Sequence, residues 1–515
     1  MINRRRLLGS GATAAAAAVG IAGVGAVGAQ AQARRRTAAG ADGKWERLRN
    51  AVRGDVVLPD DAAYARARQL ASAQFDHIAP QGVVYCETPG DVSAALAFAH
   101  HYGLDSAVRS GGHSFAGWST SEGVVIDLSR LNRVRVTGST VRVGPGAQAV
   151  DVLGALAPLG MSVPAGFCPT VCPGGFVTGG GMGWQFRKYG PTSDRLVSAQ
   201  VVLADGSVVT ASQRENPDLL WALRGGGGGN FGVVTDFELA PTHEPHVVTF
   251  DLTWPWQQAE RVLTAWQEWA RTAPAHLAPR AGVLLKDAAP GAEPVVLVSG
   301  VSFGERDELE TLLADLYGSI GSRPATEVVA DRAYDKAMMR LFGCENDSLD
   351  QCHVTGSNPE ALLPRTTWIK HRSRMFARSI PEGGIAGMLA TFERDRRAGQ
   401  YRYLGVLSLG GNANDMAPGE TAYVHRDAEL FAVFSVGLGR PEPESEDLAA
   451  ALAWSDGAFA AMDPYSNGRT YVNYPDPGLA DWADAYYGTN LPRLRRVKRA
   501  YDPYGFFRFP HALRA

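Results

Sequence analysis

The sequence predicts an α+β protein with more than one domain, and three observations support this prediction. The chain has 515 residues, which is more than one hydrophobic core ordinarily organises. Residues 45–245 read as many short strands and a few helices separated by glycine-rich turns. Residues 246–455 instead alternate longer apolar strands with amphipathic helices, and residues 456–515 form a C-terminal segment.

The composition excludes several classes of protein. Hydrophobic residues make up 45% of the chain and charged residues 20%, which is typical of a globular protein. The formal net charge is −3, so nothing favours nucleic acid or an anionic membrane as a partner. Beyond the N-terminal leader, no stretch of the sequence is long and apolar enough to span a bilayer.

The N-terminus reads as an export leader. Arg4 and Arg5 precede an uncharged run rich in Ala, Gly and Val, which ends in a small-x-small pattern at residues 31–33. The paired arginines resemble a twin-arginine signal over residues 1–33, while a general secretory signal or an uncleaved anchor is the alternative. The twin-arginine route carries folded proteins, which suits a chain that acquires a cofactor before export.

Local patterns place the main elements of the first part. Val92, Ala95, Leu96 and Ala99 fall on one helical face, and Asp91 is the expected N-cap. A strand is expected to enter a glycine loop in "DSAVRSGGHSFAG". Hairpins are expected in "RVRVTGSTVRVGPGA" and "LVSAQVVLADGSVVTAS".

The second part is expected to alternate strands and helices. Strands are predicted in "VVTFDLTWPW", "PVVLVSGVSFG", "YLGVLSL" and "LFAVFSVGL". Helices are predicted in "QQAERVLTAWQEWAR" and "ERDELETLLADLY". Trp254, Trp256, Trp266 and Trp269 suit stacking on a sugar, but packing is the favoured alternative for the pair within "WQEWA".

Five cysteines limit the disulfides and argue against a metal site. An odd number in an exported chain leaves at least one cysteine outside any intrachain disulfide. Cys344 and Cys352 are close enough in sequence to close a short loop, although the sequence does not prove that they do. Cys168 and Cys172 have no matching Cys or His pair, so no metal is expected.

Two glycine-rich segments are the candidates for chemistry. The first, "RSGGHS", follows a predicted strand and contains His113, and such a nest of backbone N–H groups binds phosphate. The second, residues 164–190, has Cys168 near its start and many glycines after it. Taken singly, the glycines also fit tight turns, the histidine a structural role and the cysteine a small buried side chain.

Taken together, these segments resemble the berberine-bridge-enzyme-like branch of the vanillyl-alcohol oxidase superfamily of FAD-linked oxidases. "RSGGHSFAG", "AGFCPTV", "TGGGMGWQFRKYG", "ALRGGGGGNFGVVT", "TAYVHR" and the C-terminal "YVNYPD…YYGTNLPRL…YDP" match family blocks in the same order. The resemblance covers about residues 75–510. It implies a PCMH-type FAD-binding domain over 45–245, a substrate domain with an antiparallel sheet covered by helices over 246–455, and a segment over 456–515 that returns to the first domain.

The resemblance also implies how FAD is held. His113 matches the histidine bonded to the flavin 8α-methyl, and Cys168 matches the cysteine bonded to flavin C6. Arg109 would place a charge near the pyrophosphate. The remaining expected cofactor contacts are Ser110, Gly111, Gly112, Ser114, Gly174, Gly175, Gly179, Gly180, Gly181, Gly183, Gly232, Val233 and Asn473.

The segment "YVNYPD" is expected to carry the catalytic base. Read as a strand, it would direct Tyr471 and Tyr474 to opposite faces, so that one packs and the other meets the substrate. By resemblance Tyr474 is the base, with Tyr471 a weaker candidate. Tyr403 and Tyr401, on a predicted strand, are candidates for a partner phenol. A tyrosine acts as a base only if a cation or hydrogen bond lowers its pKa.

Several positions depart from the family pattern. Cys172 stands where glycine is common and offers a rival thiol, although a buried spectator is the favoured alternative. Phe176 stands where histidine is frequent. Some relatives carry a lysine at the position aligned with Ala432. His425 and Arg426 are candidates for the missing positive charge, with structural bridging as an equal alternative.

The sequence therefore predicts an exported oxidase with bicovalent FAD. The expected substrate is a sugar, an oligosaccharide, or a glycosylated or polyketide metabolite, which gives up a hydride from a carbinol or similar carbon. Dioxygen would reoxidise the flavin and leave as hydrogen peroxide. A flavin dehydrogenase with another acceptor and a non-catalytic flavoprotein that sequesters a drug-like compound are the alternatives, and the oligomeric state is open.

Overall fold

A computed structural model describes residues 43–515. Helix α1 covers residues 43–51, and residues 51–515 form one unit that is described here by itself. The predicted export leader lies outside the described residues. Within 43–515, no helix combines the length and the apolar character that crossing a membrane requires.

Two sheets form the N-terminal part of this unit. The first has four strands in the order β1-β2-β4-β3, with β2, β4 and β3 parallel and β1 antiparallel to β2. The second is antiparallel, in the order β5-β6-β9-β7-β8. The bounds are β1 Val56–Val57, β2 Gly82–Tyr85, β3 Ser106–Arg109, β4 Val124–Asp127, β5 Val134–Thr137, β6 Thr140–Val143, β7 Leu196–Val202, β8 Val208–Ser212 and β9 Val233–Leu239.

Helices α2 to α7 connect these strands. Their bounds are α2 Tyr64–Ala67, α3 Pro89–His101, α4 Ala149–Leu156, α5 Pro173–Phe176, α6 Phe186–Tyr189 and α7 Pro217–Leu223. In α3 the four predicted apolar residues are all fully buried, which confirms the helix. The N-cap prediction was wrong, because Thr88 is the N-cap and Asp91, at the third helical position, closes a capping box with it.

A third sheet of seven strands forms the rest of the unit. All its pairs are antiparallel, in the order β13-β10-β12-β11-β15-β16-β14. The strands are β10 His246–Pro255, β11 Leu277–Leu285, β12 Val295–Ser302, β13 Thr326–Ala333, β14 Trp368–Phe376, β15 Gln400–Ser408 and β16 Leu430–Leu438. This confirms the α+β fold and the antiparallel sheet expected after residue 245.

Helices cover one face of the seven-stranded sheet. They are α8 Ala259–Thr272, α9 Arg306–Ile320, α11 Glu382–Glu393 and α12 Ser445–Met462. Helix α10, Tyr334–Leu341, follows β13 directly and shares a separate core with α4. Trp254, Trp266 and Trp269 are buried in the core between sheet and helices, and Trp256 packs against it. These tryptophans therefore have packing roles, and the sugar-stacking interpretation was wrong.

The C-terminal helices pack against the five-stranded sheet. Helices α13 Trp482–Tyr487 and α14 Leu491–Tyr501 contribute Tyr486, Leu494 and Val497 to the same core as β7 and β9. Seven 3₁₀ turns complete the described elements, at Ala73–Phe75, Ala157–Leu159, Thr192–Arg195, Trp256–Gln258, Gly411–Asn414, Asp463–Tyr465 and Gly488–Asn490. Because of this packing, the segment after residue 470 is held beside the glycine-rich segments of the first part.

Candidate active site

The loop after β3 carries His113, and Arg109 is the last residue of that strand. The Arg109 guanidinium is buried, donates to Asp127 Oδ2 at 2.5 Å and also donates to the Ala67 carbonyl at 2.6 Å. Its charge is therefore already neutralised by Asp127. Arg109 also ties the strand end to α2, and its role near a pyrophosphate stays a prediction.

Thr170 lies between the two predicted attachment residues. Its Oγ1 is 2.9 Å from His113 Nε2 and 3.6 Å from Cys168 Sγ. Both predicted anchors are partly exposed, whereas Thr170 is 5% exposed. Burial lowers the pKa of His113 to about 4, so the imidazole is neutral at physiological pH. The two side chains that the sequence proposed as anchors are thus adjacent in space.

Cys172 is oriented away from this pair. It is 5% exposed, and its thiol points to the Gly146 carbonyl at 3.4 Å. Burial raises the pKa of the Cys172 thiol far above its usual range, so almost no thiolate forms. Its burial favours the spectator role over that of a rival attachment site.

Glycines allow three separate chain segments to approach one another at the site. A Cβ on Gly174 would lie 2.7 Å from Ser110 Oγ, and one on Gly179 would lie 2.0 Å from Asn473 Oδ1. Gly175, between them, has nothing within 4 Å of that position. The backbone at Gly175 is consequently open, as a surface that receives a flat cofactor needs to be.

The other predicted cofactor contacts are arranged around the same loops. Ser114 Oγ accepts a hydrogen bond from the Trp118 amide at 3.2 Å, and Gly112 has a φ of +71°. Gly180 and Gly181 have backbone φ values of +121° and +93°, which residues other than glycine rarely adopt. Gly183 lies against the Ala165 carbonyl, Gly232 lies against Val201, and Val233 is 2% exposed.

Residues 471–474 form a turn, so the prediction of a strand was wrong. The Tyr474 amide donates to the Tyr471 carbonyl at 2.9 Å, which closes the turn. The two rings therefore do not point to opposite faces: their centroids are 6.1 Å apart and both belong to one aromatic cluster. A turn shortens the backbone between the tyrosines, which brings them to the same side.

Tyr471 is held by hydrogen bonds, whereas Tyr474 is not. The Tyr471 hydroxyl accepts from the Gly181 amide at 2.7 Å and from Asn473 Nδ2 at 2.9 Å. Asn473 also donates to the Phe176 carbonyl at 3.0 Å. Within residues 43–515, the Tyr474 hydroxyl has no hydrogen-bond partner. These contacts assign a structural role to Tyr471 and leave Tyr474 as the phenol available for chemistry.

Tyr403 lies flat on the face of the seven-stranded sheet that the helices do not cover. Gly282 and Gly405 are cross-strand partners beneath it, and a Cβ on Gly405 would lie 2.5 Å from the Tyr403 ring. Arg280 lies on β11 on the same face of the sheet as Tyr403. Its Nε donates to Ser299 Oγ at 2.9 Å, and its Cζ lies 4.8 Å from the centroid of the Trp184 ring. In the described part of the chain, no carboxylate pairs with Arg280.

His371 was not singled out in the sequence, yet it contacts the same cluster. Its Nδ1 is 2.7 Å from Ser435 Oγ on the neighbouring strand, and its Nε2 is buried with no hydrogen-bond partner within the described residues. The ring centroid is 4.2 Å from that of Phe115 and 5.9 Å from that of Tyr474. Burial lowers the pKa of His371 to about 3, so this imidazole stays neutral.

The electrostatic environment keeps Tyr474 protonated. Burial raises the pKa of its phenol to about 12, the Tyr403 phenol adds to that effect, and the Arg280 guanidinium acts in the opposite direction. Burial also raises the pKa of Tyr403, and the positive charge of Arg280 again acts to lower it. Arg280 is thus the group that favours a phenolate at either tyrosine.

The other cation candidates have structural roles. Arg426 is buried and paired with Asp194 at 2.7 Å, and burial lowers the pKa of His425 to about 3. Ala432 belongs to the core on the helix-covered face, so a lysine there would not face Tyr474. Tyr401, on the same face as Tyr403, is at the exposed end of β15.

The residues that the sequence reasoning missed are Thr170, Arg280, His371 and Ser435. Thr170 follows Cys168 by two positions, and this proximity was the one available sequence clue. The other three lie on β11, β14 and β16. Ser435 pairs with both Tyr403 and His371, and Arg280 lies two residues from Gly282, which is beneath the Tyr403 ring. No spacing along the chain reveals that register.

Comparison with known proteins gives the family. Residues 80–212 match the family model described as "FAD binding domain", and residues 470–514 match "Berberine and berberine like". The FAD-linked oxidoreductase pynB of Aspergillus niger is 36% identical over 540 residues, covering 94% of this chain and 95% of pynB. The chain belongs to the berberine-bridge-enzyme-like FAD-linked oxidoreductases. It is accordingly an FAD-dependent oxidoreductase.

Solved structures show the same fold. The berberine-bridge-enzyme-like protein 1 of Physcomitrella patens superposes with a TM-score of 0.81 at 24% identity, covering 92% of this chain and 99% of that one. The xylooligosaccharide oxidase of Myceliophthora thermophila, in complex with xylobiose, superposes with a TM-score of 0.78 at 26% identity, covering 91% and 98%. Oligosaccharide oxidases are therefore among the relatives of this berberine-bridge-enzyme-like chain.

The residues present fit an FAD. The backbone at Gly175 is open, and the partly exposed side chains of His113 and Cys168 meet at Thr170. The flavin is a broad ring system, and an open backbone of this kind can lie against it. Within residues 43–515, no group of His, Cys, Asp and Glu side chains is arranged to hold a metal ion.

We predict that Gly405→Ala destabilises the protein by about 1–3 kcal/mol, because the new methyl group overlaps the Tyr403 ring. Gly387→Ala is the matched control: its Cβ meets nothing within 4 Å in helix α11, so this change should stabilise by about 0.5–1 kcal/mol. Guanidinium unfolding curves of the two variants measure both effects. Equal midpoints would contradict the placement of Tyr403.

Proposed function

We propose that this chain is an exported flavoprotein oxidase with FAD attached covalently through His113 and Cys168. One observation carries the proposal: His113 Nε2 and Cys168 Sγ both approach the hydroxyl of Thr170, at 2.9 Å and 3.6 Å. The two side chains come from different glycine-rich segments, and the second of these segments has an open backbone at Gly175. A cofactor tethered at two points does not dissociate, which matters outside the cytoplasm where FAD is scarce.

FAD, when bound, accepts a hydride from the substrate carbon and returns the electrons to dioxygen, which yields hydrogen peroxide. Residues 45–245 are proposed to bind it, residues 246–455 to bind substrate, and residues 456–515 to complete the site. The pyrophosphate and ring are assigned to backbone and side-chain donors near His113 and the glycine segment. These are Ser110, Gly111, Gly112, Ser114, Gly174, Gly175, Gly179, Gly180, Gly181, Gly183, Gly232, Val233 and Asn473.

Tyr474 is proposed as the base that takes the proton of the substrate hydroxyl. Its hydroxyl is free of other partners in the described chain, and the ring contacts Phe115 and Phe431 at centroid distances of 5.1 and 5.2 Å. The Arg280 guanidinium acts to lower the pKa of both Tyr474 and Tyr403, which favours a phenolate. The neutral His371, with Nε2 unpartnered, is placed to hydrogen-bond a substrate hydroxyl.

The substrate is proposed to be a polyol, in the form of a sugar, an oligosaccharide or a glycosylated or polyketide metabolite. The face of the sheet opposite the helices carries phenols, an imidazole and a guanidinium. These groups form hydrogen bonds with hydroxyls and do not require a charge on the ligand. Relatives named as xylooligosaccharide oxidase and chitooligosaccharide oxidase, at 29% and 28% identity, support this class.

Export is proposed from the twin-arginine pattern in residues 1–33, which lie outside the described residues. A second observation supports it. Cys344 and Cys352 form a disulfide with their Cα atoms 5.8 Å apart, and disulfides persist mainly in oxidising compartments.

The attachment is tested by peptide mass spectrometry. Trypsin releases His113 in peptide 110–130 and Cys168 in peptide 143–187. We expect one yellow product in which a single flavin joins both peptides. His113→Ala and Cys168→Ala should each leave the flavin on the other peptide alone, and Cys172→Ala, as the control, should leave the joined product unchanged. Complete release of flavin in acid would overturn the proposal.

The electron acceptor is tested by the products of turnover. We expect hydrogen peroxide to form in a one-to-one ratio with oxidised product when air-saturated enzyme meets a panel of sugars, oligosaccharides and glycosylated metabolites. Substrate-dependent bleaching of the flavin that persists in air, with turnover restored by an artificial acceptor, would instead identify a dehydrogenase. Binding of panel compounds without any bleaching would favour a sequestering protein.

The role of Tyr474 is tested by the rate of flavin reduction in stopped flow. Tyr474→Phe should slow reduction by about 10²–10⁴-fold. Because the phenol pKa is about 12, the phenolate fraction grows with pH, so the rate should rise steadily from pH 7 to pH 10. Arg280→Gln removes the cation that favours phenolate, which should lower the rate at every pH.

The exposed Arg440 provides the control for Arg280, since Arg440→Gln should leave the pH profile unchanged. A flat profile in the parent enzyme, combined with near-normal reduction in Tyr474→Phe, would exclude the phenol as base.

A further inference from the structure

Thr170 contacts both proposed attachment atoms with one hydroxyl. The distances are 2.9 Å to His113 Nε2 and 3.6 Å to Cys168 Sγ. The residue itself has little freedom to move: it is 5% exposed, and its carbonyl lies 3.7 Å from the Cys172 thiol and against Gly111. Its position is thus fixed by the backbone, and the two reactive side chains are arranged around it.

The chemistry of a hydroxyl suits this position. Thr170 Oγ1 carries one proton and two lone pairs, so it can accept from one neighbour while donating to the other. The neutral His113 ring has one N–H. When Nε2–H donates to Oγ1, Nδ1 keeps its lone pair for a new bond, and Oγ1–H remains to donate to the sulfur. In either tautomer Nε2 is occupied and Nδ1 is the free nitrogen.

Other polar side chains near the anchors do not combine these contacts. Ser114 Oγ is bonded to the Trp118 amide, Ser110 Oγ to the Pro145 carbonyl, and the Cys172 thiol points to Gly146. Within residues 43–515, Thr170 is therefore the one side chain that bridges His113 and Cys168.

We propose that Thr170 is the positioning residue for flavin attachment: it directs His113 Nδ1 and the Cys168 sulfur at the cofactor. This inference rests on the proposed function, in which both residues are bonded to FAD. Each attachment joins nitrogen or sulfur to one flavin carbon and removes one hydrogen from each partner. For each bond, the two protons and two electrons would pass through the flavin to one dioxygen, which is thereby reduced to hydrogen peroxide.

The experiment compares Thr170→Val, which has nearly the same shape without the hydroxyl, with Thr170→Ser, which keeps the hydroxyl. Thr235→Val is the control, because Thr235 is equally buried at 5% exposure and its hydroxyl bonds to Gln200 on the five-stranded sheet. Full-length apoprotein from riboflavin-starved cells is mixed with FAD in air. Acid-stable flavin and the joined peptides 110–130 and 143–187 are then followed over time.

We expect attachment to Thr170→Val to be about tenfold slower or incomplete, since a hydroxyl contact is lost at both anchors. Thr170→Ser and Thr235→Val should attach FAD at the rate of the parent protein. Tight but acid-releasable FAD in Thr170→Val, measured by quenching of flavin fluorescence, shows that the pocket has folded and that attachment alone is impaired. That signature separates positioning from a general structural role.

Three outcomes would overturn the inference. Attachment to Thr170→Val at the parent rate would show that the hydroxyl is not needed. Failure of Thr170→Ser to recover attachment would assign the effect to shape, and failure of Thr170→Val to bind FAD at all would assign it to folding of the pocket. In all three cases a joined peptide in the parent protein leaves the proposed function standing, whereas its absence there overturns both.

Discussion

The close approach of backbone at glycines is the constraint on which the site depends. At Gly179 a side chain would collide with Asn473, and at Gly174 it would collide with Ser110. These two positions let the C-terminal turn and the His113 loop lie against the same segment. Tyr471 then fixes the turn by accepting from the Gly181 amide. The position of Tyr474 is thus a consequence of missing Cβ atoms on another part of the chain.

Burial without opposite charges sets the chemistry of the site. The imidazoles of His113 and His371 are neutral because burial lowers both pKa values, to about 4 and about 3. The phenol of Tyr474 stays protonated for the same reason, and Arg280 opposes this effect from the uncovered face of the sheet. Arg280 donates to a serine and stacks on Trp184, so no carboxylate cancels its field. A neutral site with one uncompensated cation favours deprotonation of a hydroxyl over binding of a cationic ligand.

Side chains alternate between the two faces of the seven-stranded sheet, so that one face forms a core and the other contributes to the candidate site. On one face its side chains join the tryptophans of the helices in a continuous core. On the other face, glycines at 282 and 405 leave space for the ring of Tyr403, and Ser435 holds His371. A shift of one residue in the register would exchange these two sets, because neighbouring side chains of a strand point to opposite faces. The apolar face fixes the register, and the polar face is positioned as a result.

The sequence by itself determined the α+β fold and most of the strands, because hydrophobic periodicity is a local property of the chain, and the two candidate anchors followed from the resemblance of its glycine-rich segments to family blocks. It also indicated Tyr474 through the resemblance of "YVNYPD" to a family block. It misplaced Asp91 as an N-cap, did not reveal that Arg109 pairs with Asp127, and read the "YVNYPD" turn as a strand. For Asp91 the deciding partner is the nearby Thr88, which takes the N-cap position, whereas Asp127 is 18 residues from Arg109 and meets it only across paired strands.

Only the tertiary structure brought Arg280, His371 and Ser435 to the Tyr403 ring, since strand register joins residues that are far apart in sequence. It likewise placed Ala432 in the helix-covered core and Cys172 beneath the loop, because the face on which a strand residue lies depends on its partners. Thr170 is the intermediate case. Its closeness to Cys168 is written in the sequence, whereas its contact with His113 exists only once the two glycine segments have folded together.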